Sequence, residues 1–173
     1  MGLAIPVSYP LFGCGASVCL WPATAYSTYV QTFLPYDNIH LSALCLDMKR
    51  LGKQRVEVLQ ILNTLTGNSS GWVSHPAVKM WKGHEAGLSA YGAEVCRIWR
   101  KIGYKDTCLS KIMALVSPDP NDLPSWWGDA RLHDSHKANL LRKHPEFYSK
   151  YDWDVDPGTE YYWPSMVKIA SSS

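Results

Sequence analysis

The densest run of chemically able side chains is Leu46-Asp47-Met48-Lys49-Arg50-Leu51-Gly52-Lys53-Gln54-Arg55-Val56-Glu57. Lys49, Arg50, Lys53 and Arg55 place four cations within seven residues, followed by the carboxylate of Glu57. On a helix, side chains three or four residues apart are neighbours, so Lys53 meets both Lys49 and Glu57, while Arg50 and Glu57 lie two turns apart. Arg50, Lys53 and Glu57 then share one face. Such a face suits a phosphate backbone, with Glu57 set among cations that keep it ionised. The same residues also describe a solvated helix with a Lys53–Glu57 surface pair worth roughly 0.3–0.5 kcal/mol. The run by itself fits both.

Other chemistry is thinner. The sequence contains no Gly-rich phosphate loop, no HExxH pair and no GxSxG elbow. His75-Pro76 and His144-Pro145 read as helix punctuation, whereas the spacing lets His133 and His136 face one groove with Arg142. Around Arg142, Lys143 and Lys150 the tail interleaves cations with aromatic rings, a pattern that serves base stacking or packing across helices equally.

The elements that position these residues are helical. Leu44, Met48, Leu51, Val58, Leu62 and Leu65 recur at three- and four-residue steps, which predicts a first long helix over about 41–65, stopped at Gly67. A second begins after Ser74, taken as its N-cap with Pro76 in the first turn, and ends at Gly103. Its apolar stripe is Val78, Trp81, Leu88, Tyr91, Val95, Ile98 and Ile102. A short helix over about 107–115, a Pro-rich loop from Ser117 to Trp127, and a third long helix over about 130–144 complete the set. No stretch alternates with period two.

With 173 residues, 46% apolar and 18% charged, the composition is that of one globular domain. The five cysteines are odd in number and scattered, which disfavours a disulfide framework and a zinc site, and favours a reducing compartment. No apolar run approaches the roughly 20 residues of a membrane span. A net charge of +2 hides a basic middle: Lys49 to Lys111 holds eleven cations against Glu57, Glu85, Glu94 and Asp106. That suits an acidic partner such as nucleic acid. Residues 1–30 carry no Lys, Arg, Asp or Glu and lack the basic start of a secretory signal. The expectation there is a disordered extension, or upstream sequence ahead of a GTG start codon read as Val30.

The stretches QTFLPYDN, LDMKRLGKQRVEVLQIL, SHPAVKMWKGHEAGLSAYGAEVCRIWRKIGYKDT and LHDSHKANLLRKHPEFYSKY, in that order, resemble a bacterial branch grouped with the phage endonuclease V (pyrimidine-dimer DNA glycosylase) family. Lys101 to Thr107 resembles the family's basic Gly-aromatic-x-x-Asp-Thr turn, with one residue fewer between Tyr104 and Asp106. Pro145 to Tyr151 matches its Pro-x-x-Tyr-x-x-Tyr ending. The resemblance covers about 31–163.

It implies an all-α fold, a compact bundle of three main helices with long loops and an aromatic C-terminal tail, over residues 31–165, with 166–173 flexible. It implies a cofactor-free, metal-free monomer in the cytoplasm that excises damaged pyrimidines from duplex DNA, with an amine attacking the sugar C1′. In the family that amine is the chain's own N-terminus, nucleophilic because its pKa of roughly 7.7–8 leaves much of it neutral. Glu57 matches the family's glutamate, Arg50 and Arg55 are matched to phosphate ligands, and Gln31 and Thr32 fall near the amine. Lys49, Lys53, Gln54, Lys79, Lys82, Arg142, Lys143, Tyr148 and Tyr151 join them as expected DNA contacts. Where the phage enzyme exposes a threonine amine, this sequence has Val30-Gln31-Thr32 preceded by 29 residues. A start at position 30 brings an amine to that region, and Lys53 is a fallback Schiff-base lysine. The alternatives are a non-catalytic nucleic-acid-binding module on the same fold, or an enzyme acting on another modified base.

Overall fold

The structure is a computed structural model that describes residues 30–164; the expected extension before residue 30 and the tail from 165 onward lie outside the described residues. Seven α-helices appear in the order α1 (Ile39–Leu44), α2 (Met48–Leu65), α3 (Pro76–Trp81), α4 (Glu85–Lys101), α5 (Cys108–Leu115), α6 (Ala130–Lys143) and α7 (Pro145–Tyr148). A 3-10 turn over Ser149–Tyr151 follows. Among the described residues there is no strand, as the absence of period-two patterning predicts. No helix among them is long and apolar enough to cross a membrane.

The three main helices are α2, α4 and α6, and two of the expected long helices are broken by local chemistry. The first divides at Cys45–Asp47. Asp47 adopts an extended backbone and accepts from the N–H groups of Lys49 and Arg50 at 2.9 and 3.1 Å, so α2 starts there. Leucine periodicity runs across this cap without registering it, and Met48, counted in the apolar stripe, is exposed. The second divides at Lys82–His84, where Gly83 takes φ +86. Its cap is also displaced: the His75 side chain, not Ser74, accepts from Ala77 N–H at 3.1 Å. The expected end at Gly103, with φ +98, and the start of α6 just after Asp129 both hold.

Helices α2 and α4 pack most intimately, and α5 lies against both. Val58, Ile61, Leu62, Leu88, Tyr91 and Ile112 are fully buried between them. Each such aliphatic side chain contributes roughly 1.5–3 kcal/mol relative to exposure. The helices approach closely because Gly92 has no side chain: a Cβ there would sit 2.4 Å from Val58 Cγ1 and 3.1 Å from Ile112 Cδ1. Tryptophans tie the loops to this core. Trp126 Nε1 donates to the Met80 carbonyl and Trp127 Nε1 to that of Asp37, both at 3.0 Å.

Helix α6 is attached differently. His136 Nδ1 accepts from Leu34 N–H at 2.7 Å, and His133 Nδ1 donates to the Leu34 carbonyl at 2.7 Å. Two histidines expected to face a groove with Arg142 are therefore buried, holding one residue of the N-terminal segment by both its backbone groups. The His136 ring must be neutral to accept, and burial, followed by the proximity of His133, pushes its pKa down to about 3.

Replacing Gly92 by Ala is expected to lower stability by about 1–3 kcal/mol through overpacking, read as a fall in the urea midpoint with the slope retained. His136 makes a second expectation. Between its ordinary 6.5 and about 3 the unfolded chain binds a proton that the folded chain refuses, so this residue's contribution is lost on acidification through that window. Against wild type, His136→Gln should lose stability at pH 7.5 but show a flatter decline between pH 6.5 and 4.5. The flattening is up to about 1.4 kcal/mol per pH unit in urea titrations.

Candidate active site

The hydrogen-bonding of one buried amide organises the site. Gln54, on α2 and fully buried, donates from Nε2 to the Gln31 carbonyl at 2.8 Å and also to the Glu57 carboxylate, while its Oε1 accepts from Phe33 N–H at 3.0 Å. Tyr91 on α4 places its hydroxyl 2.9 Å from both Gln54 Oε1 and the Phe33 carbonyl. The extended segment 31–33 is thereby clamped along α2. Its Gln31 N–H donates to Glu57 in turn.

Glu57 is 3% exposed and lies within reach of Gln31, Gln54 and Lys53, whose Nζ stands 3.1 Å from Oε1. It opens onto a pocket of about 470 Å³ lined by Gln31, Phe33, Lys49, Arg50, Lys53, Glu57, Asn139, Arg142, Lys143, Tyr161 and Trp163. Burial comes first in setting its acidity and outweighs Lys53 and Lys143, so its pKa is pushed up to about 7. The expectation that cations keep Glu57 ionised fails for this reason: α2 turns it inward, and lost hydration exceeds the attraction. Near neutrality the carboxyl is divided between acid and base forms, as a group that gives and takes protons requires.

Arg50 is held by Asp47, with Nη1 at 2.5 Å from Oδ2. Tyr148 donates its hydroxyl to the same oxygen at 2.7 Å. Burial alone would raise the Asp47 pKa, but these donors together lower it, so a charged pair fixes Arg50 at the mouth of the pocket. Arg142, on the last turn of α6, donates from Nη1 to the carbonyls of Pro157 and Thr159. This holds the chain leading to Tyr161 and Trp163 beside the pocket. Tyr161 stacks on His136 with ring centres 4.7 Å apart and donates to the Thr32 carbonyl at 3.3 Å. Lys143 sits next to Arg142 with its surface open to solvent. Its pKa is lowered by desolvation first, then by repulsion from Arg50 and Lys53, against the pull of Glu57.

Of the residues singled out in the sequence, Glu57, Gln31, Arg50, Lys49, Lys53, Arg142 and Lys143 come together here. Others are placed elsewhere. Thr32 is buried, its hydroxyl accepting from Trp81 Nε1 at 3.1 Å, and Gln54 is spent inside the clamp. Arg55 pairs with Asp106 at 2.5 Å and stacks over Trp99, fastening α2 to the start of α5. Tyr148 is fully buried, and Tyr151 donates to the Cys45 carbonyl at 3.1 Å. Lys79 and Lys82 are exposed on and just after α3 and do not line the pocket. Phe33, Asn139, Tyr161 and Trp163 were missed. Asn139 stands three and four residues before Arg142 and Lys143, so helical spacing offered a signal for it. Nothing local connects Tyr161 or Trp163 to Glu57.

Among the described residues, no group of three or more His, Cys, Asp or Glu side chains is placed to hold a metal ion. A second hollow of about 530 Å³ has Leu123, Trp127, Pro118 and Pro120 in its wall and contains no lysine.

A family model described as pyrimidine dimer DNA glycosylase matches residues 30–112, a stretch that contains Gln31, Arg50, Lys53 and Glu57 and stops short of α6. Over that stretch the resemblance expected from the motifs is borne out. No curated protein and no solved structure matches the chain.

The raised pKa of Glu57 has a consequence for stability. Between its ordinary 4.5 and about 7 the folded state binds more protons than the unfolded one, so Glu57's contribution is full below 4.5 and lost as pH rises through 7. Glu57→Gln should therefore raise stability at pH 8 by on the order of 2 kcal/mol, with the gain vanishing towards pH 4.5 in denaturant titrations.

Proposed function

We propose, for a chain whose residues 30–112 carry the pattern of the pyrimidine dimer DNA glycosylases, that the Glu57 pocket is a glycosylase and abasic-site lyase centre for damaged pyrimidines in duplex DNA. The observation that supports this most is a buried carboxyl with a pKa of about 7, facing a pocket ringed by Lys49, Arg50, Lys53, Arg142 and Lys143.

The chemistry follows from these groups. An amine attacks the sugar C1′ as the bond from C1′ to the base nitrogen breaks, and protonated Glu57 gives its proton to the departing base. The deoxyribose ring then opens and nitrogen and C1′ become an imine. Glu57, now a carboxylate in a site with little water, stabilises the iminium. Loss of a C2′ proton breaks the C3′–oxygen bond and expels the 3′ phosphate, and water hydrolyses the imine to release the amine. The pocket cations hold the phosphates flanking the lesion.

Incubating the full chain with ultraviolet-irradiated or abasic duplex tests this reading. Strand cleavage and a borohydride-trapped covalent adduct are expected, with Glu57→Gln reducing cleavage by about 10²–10⁴-fold. Salt-dependent duplex binding with neither cleavage nor adduct would instead mark a non-catalytic binding module. Arg50→Ala should weaken duplex binding by about tenfold, the effect of losing one charge-assisted contact, and should flatten the salt dependence.

A further inference from the structure

The turn between α4 and α5 is both basic and rigidly held. From Arg97 to Lys111 the chain sets Arg97, Arg100, Lys101, Lys105 and Lys111 against one carboxylate, Asp106, whose side chain has no exposed surface and is paired with Arg55. Arg97 pairs with Glu94 at 3.3 Å. Arg100, Lys101 and Lys105 are exposed and form no ion pair among the described residues. The negative end of the α4 dipole favours cations on its last turn, which accounts for Arg100 and Lys101. It does not account for Lys105, which lies beside the positive start of α5. The backbone here is fixed from several sides. Trp99 Nε1 donates to the Lys105 carbonyl at 3.0 Å, and its ring stacks on the half-exposed Tyr104 with centres 4.4 Å apart. Trp99 in turn lies against Gly52 of α2, where a Cβ would stand 3.1 Å from the ring, and the Arg55 guanidinium is 4.3 Å from its ring centre. Asp106 also accepts from Leu109 N–H at 2.8 Å, in the first turn of α5. Lysines that merely keep a surface solvated need no such base, whereas a preorganised backbone lowers the entropy lost on binding.

Around α2, Arg50, Lys53 and Glu57 face the pocket, while Gly52 and Arg55 face Trp99. Helical spacing puts Lys49 and Val56, both exposed, between those two sides. A helix with its side chains is about 10–12 Å across, comparable with the major groove of about 12 Å between phosphate strands. One duplex resting on the exposed face of α2 thus reaches the pocket on one flank and the turn on the other. We propose that Arg100, Lys101 and Lys105 form a second phosphate-binding surface, which holds the duplex away from the lesion while the pocket holds it at the lesion. This rests on the duplex-DNA reading of the pocket. Arg55 serves this surface as its support, touching Trp99 and Asp106.

The test titrates the full chain against a duplex several helical turns long with one central abasic site, over a range of salt. Lys101→Gln/Lys105→Gln removes two exposed, unpaired charges, and its urea midpoint should match wild type. The slope of log affinity against log salt should become shallower by about 2, at roughly 0.9 per lost phosphate contact, and affinity near physiological salt should fall about tenfold. Cleavage at saturating protein should equal wild type, since neither lysine lines the pocket. Lys79→Gln/Lys82→Gln removes the same charge from the surface around α3 and should leave the slope unchanged. Arg100→Gln, with an expected loss of about 1, repeats the reading at the end of α4 should the double variant prove unstable. Equal losses in the two double variants would show that net charge alone matters, and an unchanged slope in the turn variants would show a merely solvated turn. Either result overturns the proposal, while Arg50→Ala still reports on the pocket. If wild type binds no duplex, the reading of the pocket fails with it.

Discussion

The four hydrogen bonds of Gln54 couple the fold to the pocket. A fully buried amide needs two acceptors for its N–H groups and donors for its oxygen, and an unmet need costs about 1–3 kcal/mol each. Here the Gln31 carbonyl, the Glu57 carboxylate, the Phe33 N–H and the Tyr91 hydroxyl meet all of them. The extended segment has no strand partner among the described residues, so this amide, Glu57, Tyr91, Tyr161 and the histidine pair on Leu34 supply its backbone hydrogen bonds. Segment 31–34 thus lies between α2 and α6 as the piece both helices hold. The two walls of the pocket, one bearing Glu57 and the other Lys143, are set by how that segment is gripped.

Charge is handled in two ways around the pocket. At its mouth, Asp47 starts α2, and the same carboxylate neutralises Arg50 and accepts from the buried Tyr148. One residue thereby caps α2, orients a cation and anchors α7. Inside, Glu57 receives hydrogen bonds but too little water, and its proton affinity rises. Lys143 loses proton affinity through its own desolvation first and then through repulsion from Arg50 and Lys53. A buried acid and a partly desolvated ammonium are complementary departures from ordinary acidity, and in both the loss of hydration comes first.

Aromatic residues are spent mostly on attachment. Trp81 fills the core and reaches Thr32, Trp126 and Trp127 pin the proline-rich loop, and Tyr148, Tyr151 and Trp153 form a ladder of stacked rings beneath α7. Phe33, Tyr161 and Trp163 reach the pocket. Rings with one polar atom suit this work, because each buries a large apolar face while its polar atom donates to a backbone carbonyl or a side-chain oxygen.

The sequence by itself determined the helical class, the positions of α5 and α6, and the face on which Arg50, Lys53 and Glu57 stand. All of these rest on periodicity and spacing within a single helix, which local chemistry dictates. It did not reveal the breaks at Asp47 and Gly83, because apolar periodicity can run unbroken through a cap. It misjudged the state of Glu57, since charge counts along a chain carry no measure of burial. Tertiary structure alone decided that Gln54, Thr32, Arg55 and Tyr148 serve the fold, that His133 and His136 grip Leu34, and that Lys143 faces Glu57 across 86 residues of chain. Those facts depend on which helix lies beside which, and the contacts that fix this join residues about a hundred positions apart, as in the bond from Leu34 to His136.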